Sequence, residues 1–222
     1  MATLFLVRHG QASFGSANYD CLSATGRQQA RWLGEYFAER GTDFTRVVAG
    51  SLSRQQDTAR EILAGMGRGD AVETHPGLNE YDGESIFRAY TDTDPIAHQN
   101  GDRVQYWRTF RKAYEAWAGD RLGNAAETWR DFGARVAAGL AHATEGATRE
   151  QAILVVSSGG AIGRAVADLL GAPTQTAIEM NLQFRNSAFC EIIVGREARR
   201  LLTFNALPHL ERPDRRDAIT FA

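Results

Sequence analysis

Cysteine is nearly absent from this chain: Cys21 and Cys190 are the two in 222 residues, with no C-x-x-C pair and no histidine beside either. That argues against a disulfide-stapled scaffold and against a cysteine-built metal site. Both thiols read as reduced residues of a cytoplasmic protein. Lysine is scarcer still, Lys112 standing alone among 25 basic residues; this reads as coding bias and carries no function. No wholly apolar run exceeds residues 152–156, far short of a membrane span. Neither sign of charge is in excess. With 25 basic and 27 acidic residues the net charge is -2, and no field exists to drive sequence-independent binding to nucleic acid or to an acidic membrane. Residues 1–7 lack a positive leader and a cleavage pattern, which gives the expectation of no cleaved signal and a cytoplasmic location.

What is present suits one globular domain with an insertion. A hydrophobic share of 43% over 222 residues can bury a core without staples. Short apolar runs alternate with amphipathic stretches, the pattern of an α/β domain. Residues 3–7 read as a buried strand, and Ser23 precedes a helix to about Arg40 that Gly41 stops. A second strand is expected over 47–50 and a second helix over about 54–64. Residues 152–157 form the clearest strand. After it Ile162, Ala165, Val166, Leu169 and Leu170 keep helical spacing until Gly171-Ala172-Pro173. Hairpin strands are expected over 189–194 and 201–204. Between about Ser85 and Gly123 the rhythm breaks. There Tyr106, Phe110, Ala113, Tyr114 and Trp117 form one helical stripe, read as an insertion packed over one end of the sheet. Residues 211–217 read as a surface arm.

The first motif with chemistry in it is Leu6-Val7-Arg8-His9-Gly10-Gln11, at the end of a buried strand, where open α/β sheets place their ligands. The guanidinium offers a planar fork to phosphate oxygens, the imidazole can attack phosphorus, and glycine lets the chain turn tightly.

At these residues the chain resembles the histidine phosphatases of the phosphoglycerate mutase-like superfamily, whose opening motif is Leu6-Val7-Arg8-His9-Gly10. The resemblance continues in order. Residues 22–30, LSATGRQQA, look like the family's L-[ST]-x-x-G-x-x-Q-A helix start. Residues 51–59, SLSRQQDTA, look like its S-x-x-x-R-x-x-Q-T-A block, with Asp57 where glutamine is common. Residues 78–83, LNEYDG, are similar to the L-x-E block. The resemblance implies a three-layer α/β/α sandwich with a mostly parallel sheet, and a helical cap inserted at about 85–123. It implies a phosphomonoester hydrolase that needs no metal and no cofactor. His9 is the implied nucleophile, Arg8 and Arg54 the implied phosphate clamp, and Glu80 the implied acid and then base.

Three departures bear on activity. Where the family carries a second pocket histidine, in V-S-H-G-G, this chain reads Val156-Ser157-Ser158-Gly159-Gly160. Ser158 can give one hydrogen bond but no charge, and the Ser158 and Gly159 amides can face an anion at a helix N-terminus. The expectation is a slower enzyme rather than a dead one. The block after Glu80 lacks G-x-W-E-G, and the long signature of the glycolytic mutases is absent after Gln11. A phosphatase is therefore expected over a mutase or a non-catalytic phosphoryl-binding protein. Ser13 and Asn18 are either phosphate contacts or turn residues. His75 and His209 are the histidines that could compensate for Ser158, while His142 reads as mid-helix and partly exposed. In the cap, Tyr90, His98, Arg103, Trp107, Arg108 and Arg111 either meet the substrate's far end or divide between core and solvent. The expected partner is a small phosphorylated substrate, without nucleic acid or membrane, and a homo-oligomer is compatible with the sequence.

Overall fold

Apolar side chains facing alternately to either side of a strand dictate two helical layers around a sheet. The computed structural model describes residues 1–13, 20–93, 103–195 and 198–221, without the side chains of residues 103, 104, 106 and 107. Its strands are β1 (Ala2–Arg8), β2 (Phe44–Ala49), β3 (Glu73–Thr74), β4 (Ala152–Ser157), β5 (Phe189–Val194) and β6 (Arg199–Ala206). They form one sheet in the order β3-β2-β4-β1-β5-β6. The first four run parallel, while β5 and β6 are antiparallel additions at one edge. Helices α1 (Ala24–Glu39) and α2 (Ser53–Gly65) cover one face. Helices α3 (Gly83–Thr93), α4 (Arg103–Ala118), α5 (Trp129–Thr144), α6 (Gly159–Leu170) and α7 (Thr174–Gln183) belong to the other.

The strand alternation assigns the layers. Phe5, Val7, Leu154 and Val156 pack with Leu33, Phe37, Ile62 and Leu63 of the α1–α2 layer. Leu4, Leu6, Ile153 and Val155 face Val136 and Leu140 of α5 and Ile162 and Val166 of α6. Burying each such side chain is worth about 1.5–3 kcal/mol. Phe5, Phe37 and Phe44 meet edge-on, with centroids 5.0–5.5 Å apart. Helix ends follow local chemistry: Ser23 Oγ accepts the Gly26 N–H at the start of α1, and Thr128 Oγ1 the Asp131 N–H at the start of α5. Gly171 closes α6 at φ 60°.

The insertion stripe is core: Ala113, Tyr114 and Trp117 are buried in the cluster that holds the second sheet face, and Phe110 packs against it. The side chain of Tyr106 lies outside the described residues. Within 211–217, Arg215 is tucked in, its guanidinium 4.7 Å above the Trp32 ring and bonded to Glu35, so the arm is docked at that point. Burial pushes the Cys190 thiol up to about 12, which leaves it an inert core residue. No helix among the described residues is long and apolar enough to cross a membrane.

Candidate active site

Parallel strands deliver their C-terminal ends to one edge of the sheet. β1 and β4 are neighbours, Arg8 pairing with Ser157, so the turns that leave them lie side by side. The His9 N–H donates to the Ser157 carbonyl at 2.9 Å, and the Gly50 N–H after β2 donates to Val156 at 3.2 Å. The turn after β1 is held on every side: Gly10 N–H bonds Thr58 Oγ1 at 3.0 Å, Gln11 N–H bonds Gln29 Oε1 at 2.9 Å, and the His9 carbonyl accepts from Ser187 N–H at 3.2 Å. Glycine is required at position 10, where a Cβ would stand 2.4 Å from the Gly26 carbonyl oxygen.

The hydrogen bonds of His9 fix its tautomer. Nδ1 lies 2.7 Å from the Gly10 carbonyl, which can only accept, so Nδ1 carries the proton. Arg54 Nε, which can only donate, lies 3.2 Å from Nε2. Nε2 therefore presents a lone pair. Burial, then the Arg54 and Arg8 cations, hold the ring pKa well below 6.5, against the opposing Gly10 bond. Arg8 and Arg54 are themselves buried, at 5% and 8% exposure. Arg8 donates to the Phe184 carbonyl. Arg54 Nη1 pairs with Asp20 at 2.8 Å, and Asp20 also accepts the Ser53 N–H at the start of α2 at 2.8 Å.

Glu80 reaches the same place from the loop after a 3₁₀ turn, Pro76–Leu78. One carboxyl oxygen accepts the Gly160 N–H at 3.0 Å and the other the Tyr81 N–H at 3.2 Å. A Cβ on Gly160 would fall 2.4 Å from that second oxygen, so the glycine makes room for the acid. Burial raises the Glu80 pKa, opposed by the Gly160 bond and by the Arg54 and Arg8 charges. Ser158, fully buried, begins α6 without capping it, and Gly159 is the first helical residue. A Cβ on Gly159 would stand 3.5 Å from Arg8 Cζ. Two guanidinium groups, a neutral imidazole with a directed lone pair and a carboxyl whose pKa burial raises thus converge with a helix N-terminus. That set can bind a tetrahedral anion, attack it and protonate what leaves.

The other described histidines have other contacts. His209 is buried with Nε2 2.8 Å from Ser187 Oγ, and its pKa falls to about 3 through burial and then the Arg215 charge. His75 Nδ1 accepts the Gly77 N–H, and its ring lies 5.0 Å from that of His142, in the last turn of α5. The Ser13 N–H bonds Cys21. Tyr90 packs against the core, Arg108 is exposed, and Arg111 pairs with Glu115 and Glu179. Asn18 and His98, and the side chains of Arg103 and Trp107, lie outside the described residues. No group of three or more His, Cys, Asp or Glu among the described residues could hold a metal ion.

Sequence reasoning missed four supporting side chains. Asp20 holds Arg54. Gln55 touches Ser158. Asn181 Nδ2 donates to the Tyr81 hydroxyl at 3.1 Å. Arg135, gripped at two points by Glu127, donates to the Gly77, Asn79 and Glu80 carbonyls and so fixes the Glu80 loop. Of these, Gln55 alone lies inside a quoted motif block, directly after Arg54.

The chain is similar to known proteins in sequence and in fold. The 2,3-bisphosphoglycerate-dependent phosphoglycerate mutase of Parvibaculum lavamentivorans is 30% identical over 112 residues, which are 47% of this chain and 53% of that protein, so the match spans about half its length. A candidate alpha-ribazole-5'-P phosphatase of Escherichia coli K-12 superposes with a TM-score of 0.67 at 26% identity, covering 93% of this chain and 98% of its own. A phosphoglycerate mutase of Bacillus anthracis gives 0.70 at 17%, covering 94% of each. The sequence profile of the histidine phosphatase superfamily (branch 1) matches residues 4–207, and the chain belongs to that family.

Proposed function

We propose that this chain hydrolyses a small phosphomonoester through a phosphohistidine on His9. The observation that carries the reading is the fixed lone pair of His9 Nε2, aimed among two buried guanidinium groups. Arg8, Arg54, the Ser158 hydroxyl and the Gly159 amide take the phosphoryl oxygens. Nε2 then attacks phosphorus and the P–O bond breaks. The leaving alkoxide takes a proton from Glu80, whose carboxyl burial biases toward the protonated form. Arg54 Nε–H, released from Nε2, turns to a phosphoryl oxygen, and the Nδ1–H bond to Gly10 stabilises the charged ring. Ionised Glu80 next accepts a proton from water, whose oxygen attacks phosphorus; the P–N bond breaks and inorganic phosphate leaves. The clamp is built from side-chain cations, so the proposed step needs no metal.

The neutral hydroxyl of Ser158 is expected to lower the rate. Loss of one preorganised donor costs about 3–4 kcal/mol, or 10²–10³ in rate, and serine replaces part of what is lost. The half-length match to a mutase supports a second reading, phosphoryl transfer from a phosphoglycerate to its isomer. The absence of the long mutase signature after Gln11 favours hydrolysis. The test is p-nitrophenyl phosphate hydrolysis in EDTA, wild type against His9→Ala. Turnover that survives EDTA and falls by on the order of 10⁴ or more in the variant supports the mechanism. A folded wild type no faster than His9→Ala, on this substrate and on a panel of alkyl phosphates, overturns it.

A further inference from the structure

Ser158 does not stand alone in the turn after β4. Gln55, one residue beyond Arg54 on α2, is also fully buried, and its Nε2 lies 2.8 Å from Ser158 Oγ and 3.1 Å from the Leu78 carbonyl. The Leu78 oxygen can only accept, so the nitrogen of the carboxamide must face it, and the amide's orientation follows. Both of its protons are then spent, one on Leu78 and one on Ser158. The Leu78 oxygen is saturated in turn, because Ser157 Oγ donates to it at 2.7 Å. Ser158 Oγ therefore accepts from Gln55, and its own proton has no acceptor among the described residues. The carboxamide oxygen points at Gly50, where a Cβ would be only 1.9 Å away, so the bare glycine seats the side chain.

We infer that Gln55 is a positioning residue for the proposed hydrolysis: by occupying the acceptor side of Ser158, it turns the serine hydroxyl into a one-way donor to the phosphoryl group. This rests on the hydrolase reading above. An unbridled serine rotor is a donor or an acceptor as neighbours dictate, and as an acceptor it would set a lone pair against an anionic oxygen. The Gln55 contact removes that alternative before substrate arrives, which is preorganisation in its simplest form.

The experiment is a double-mutant cycle of Gln55→Leu and Ser158→Ala, reading kcat and KM for p-nitrophenyl phosphate and, by calorimetry, the affinity for orthovanadate and for inorganic phosphate. Ser158→Ala is expected to lower kcat about 10–10²-fold with KM little changed, and to weaken vanadate more than phosphate. Gln55→Leu should do nearly the same. The double variant should be within about twofold of Ser158→Ala, since Gln55 acts through the serine. Gln55→Met supplies a second route if leucine prevents folding: it removes both N–H donors with an unbranched side chain of similar length, and the same loss is expected. Losses that multiply in the double variant would assign Gln55 to support of Leu78 alone and overturn the inference, as would silent Gln55 variants. Wild type that binds vanadate without turning over sinks the hydrolase reading while the calorimetric cycle still decides the relay. Wild type that does neither overturns both.

Discussion

The two turns that leave β1 and β4 are neighbours with opposite characters. The first carries Arg8 and His9 and is pinned through its backbone by Thr58, Gln29 and Ser187. The second carries Ser158, Gly159 and Gly160, has no charged side chain, and is supported by side chains from other segments: Gln55 against Ser158, and Glu80 against the Gly160 amide. Positive charge is thus concentrated on the β1 and α2 side of the site, while the β4 side offers neutral donors. An anion held here would meet charge on one side and dipoles on the other, with Glu80 seated on the dipolar side. Glu80 benefits. With no imidazolium at position 158, nothing cationic on that turn opposes the burial that raises its pKa.

The largest effect on this comparison is expected from removing the Glu80 carboxyl. Glu80→Gln should lower kcat about 10²–10⁴-fold on an alkyl phosphate, whose leaving group needs the proton. On p-nitrophenyl phosphate, which leaves as a stable anion, phosphoryl transfer to His9 should be nearly untouched. A rapid-quench burst of p-nitrophenol followed by a slow steady rate would show that the first step survives while the water step, which needs the same group as base, does not. Equal losses on both substrates and no burst would remove Glu80 from the proton-transfer role.

Charging the second turn gives the next effect. Gln55 lies against the Ser158 side chain, so a histidine at 158 needs its space. The double variant Ser158→His, Gln55→Ala should turn over about 10–10² times faster than wild type. The pH profile is the sharper readout. The proposed mechanism needs His9 neutral and Glu80 protonated, so the acid limb is expected to follow the lowered His9 value and the alkaline limb the raised Glu80 value. A cation at 158 favours the Glu80 carboxylate, lowers its pKa, and should move the alkaline limb to lower pH. An unmoved limb would mean that the two turns do not share one electrostatic field.

Much of this was legible in the chain, and for physical reasons. β1 and β4 are buried on both faces and so appear as apolar runs; the bounds of β4 match the expected 152–157, and Gly171 marks the end of α6. Arg8 and His9 were legible because charge placed directly after a buried strand is costly without a use. β3 was not: its two residues, Glu73 and Thr74, are exposed and make no pattern. β2 begins at Phe44, three residues earlier than expected, because Thr45 and Arg46 interrupt its apolar face. In α7 only Ala177 and Ile178 are buried, too few to show a period. The contact of Gln55 with Ser158 spans 103 residues of chain, and Arg135 acts through carbonyls more than 50 residues away. Such partners are set by tertiary placement and have no local signature.

The smallest effect concerns what stands behind the charged turn. His209 bonds Ser187, whose N–H holds the His9 carbonyl, and its pKa is about 3 in the folded chain against an ordinary 6.5. The sign follows from proton binding. Between those values the unfolded chain takes up a proton that the folded chain refuses, so the stabilisation is complete above 6.5 and drains away as pH falls toward 3. The slope is about 1.4 kcal/mol per pH unit for one such group, and buried His9 adds a second contribution of the same sign. His209→Gln keeps an amide to meet Ser187 and removes one of the two titrations. Its urea-derived stability at pH 7 should fall by no more than about 1 kcal/mol, yet its loss between pH 6.5 and 4.5 should be markedly shallower than that of the wild type. Parallel curves would show that acid sensitivity does not come from the backing of this turn. A shallower curve would show that the charged turn is held by a neutral, acid-labile prop for which the serine turn has no counterpart among its own contacts, which are made by the carboxamide of Gln55 and the carboxyl of Glu80.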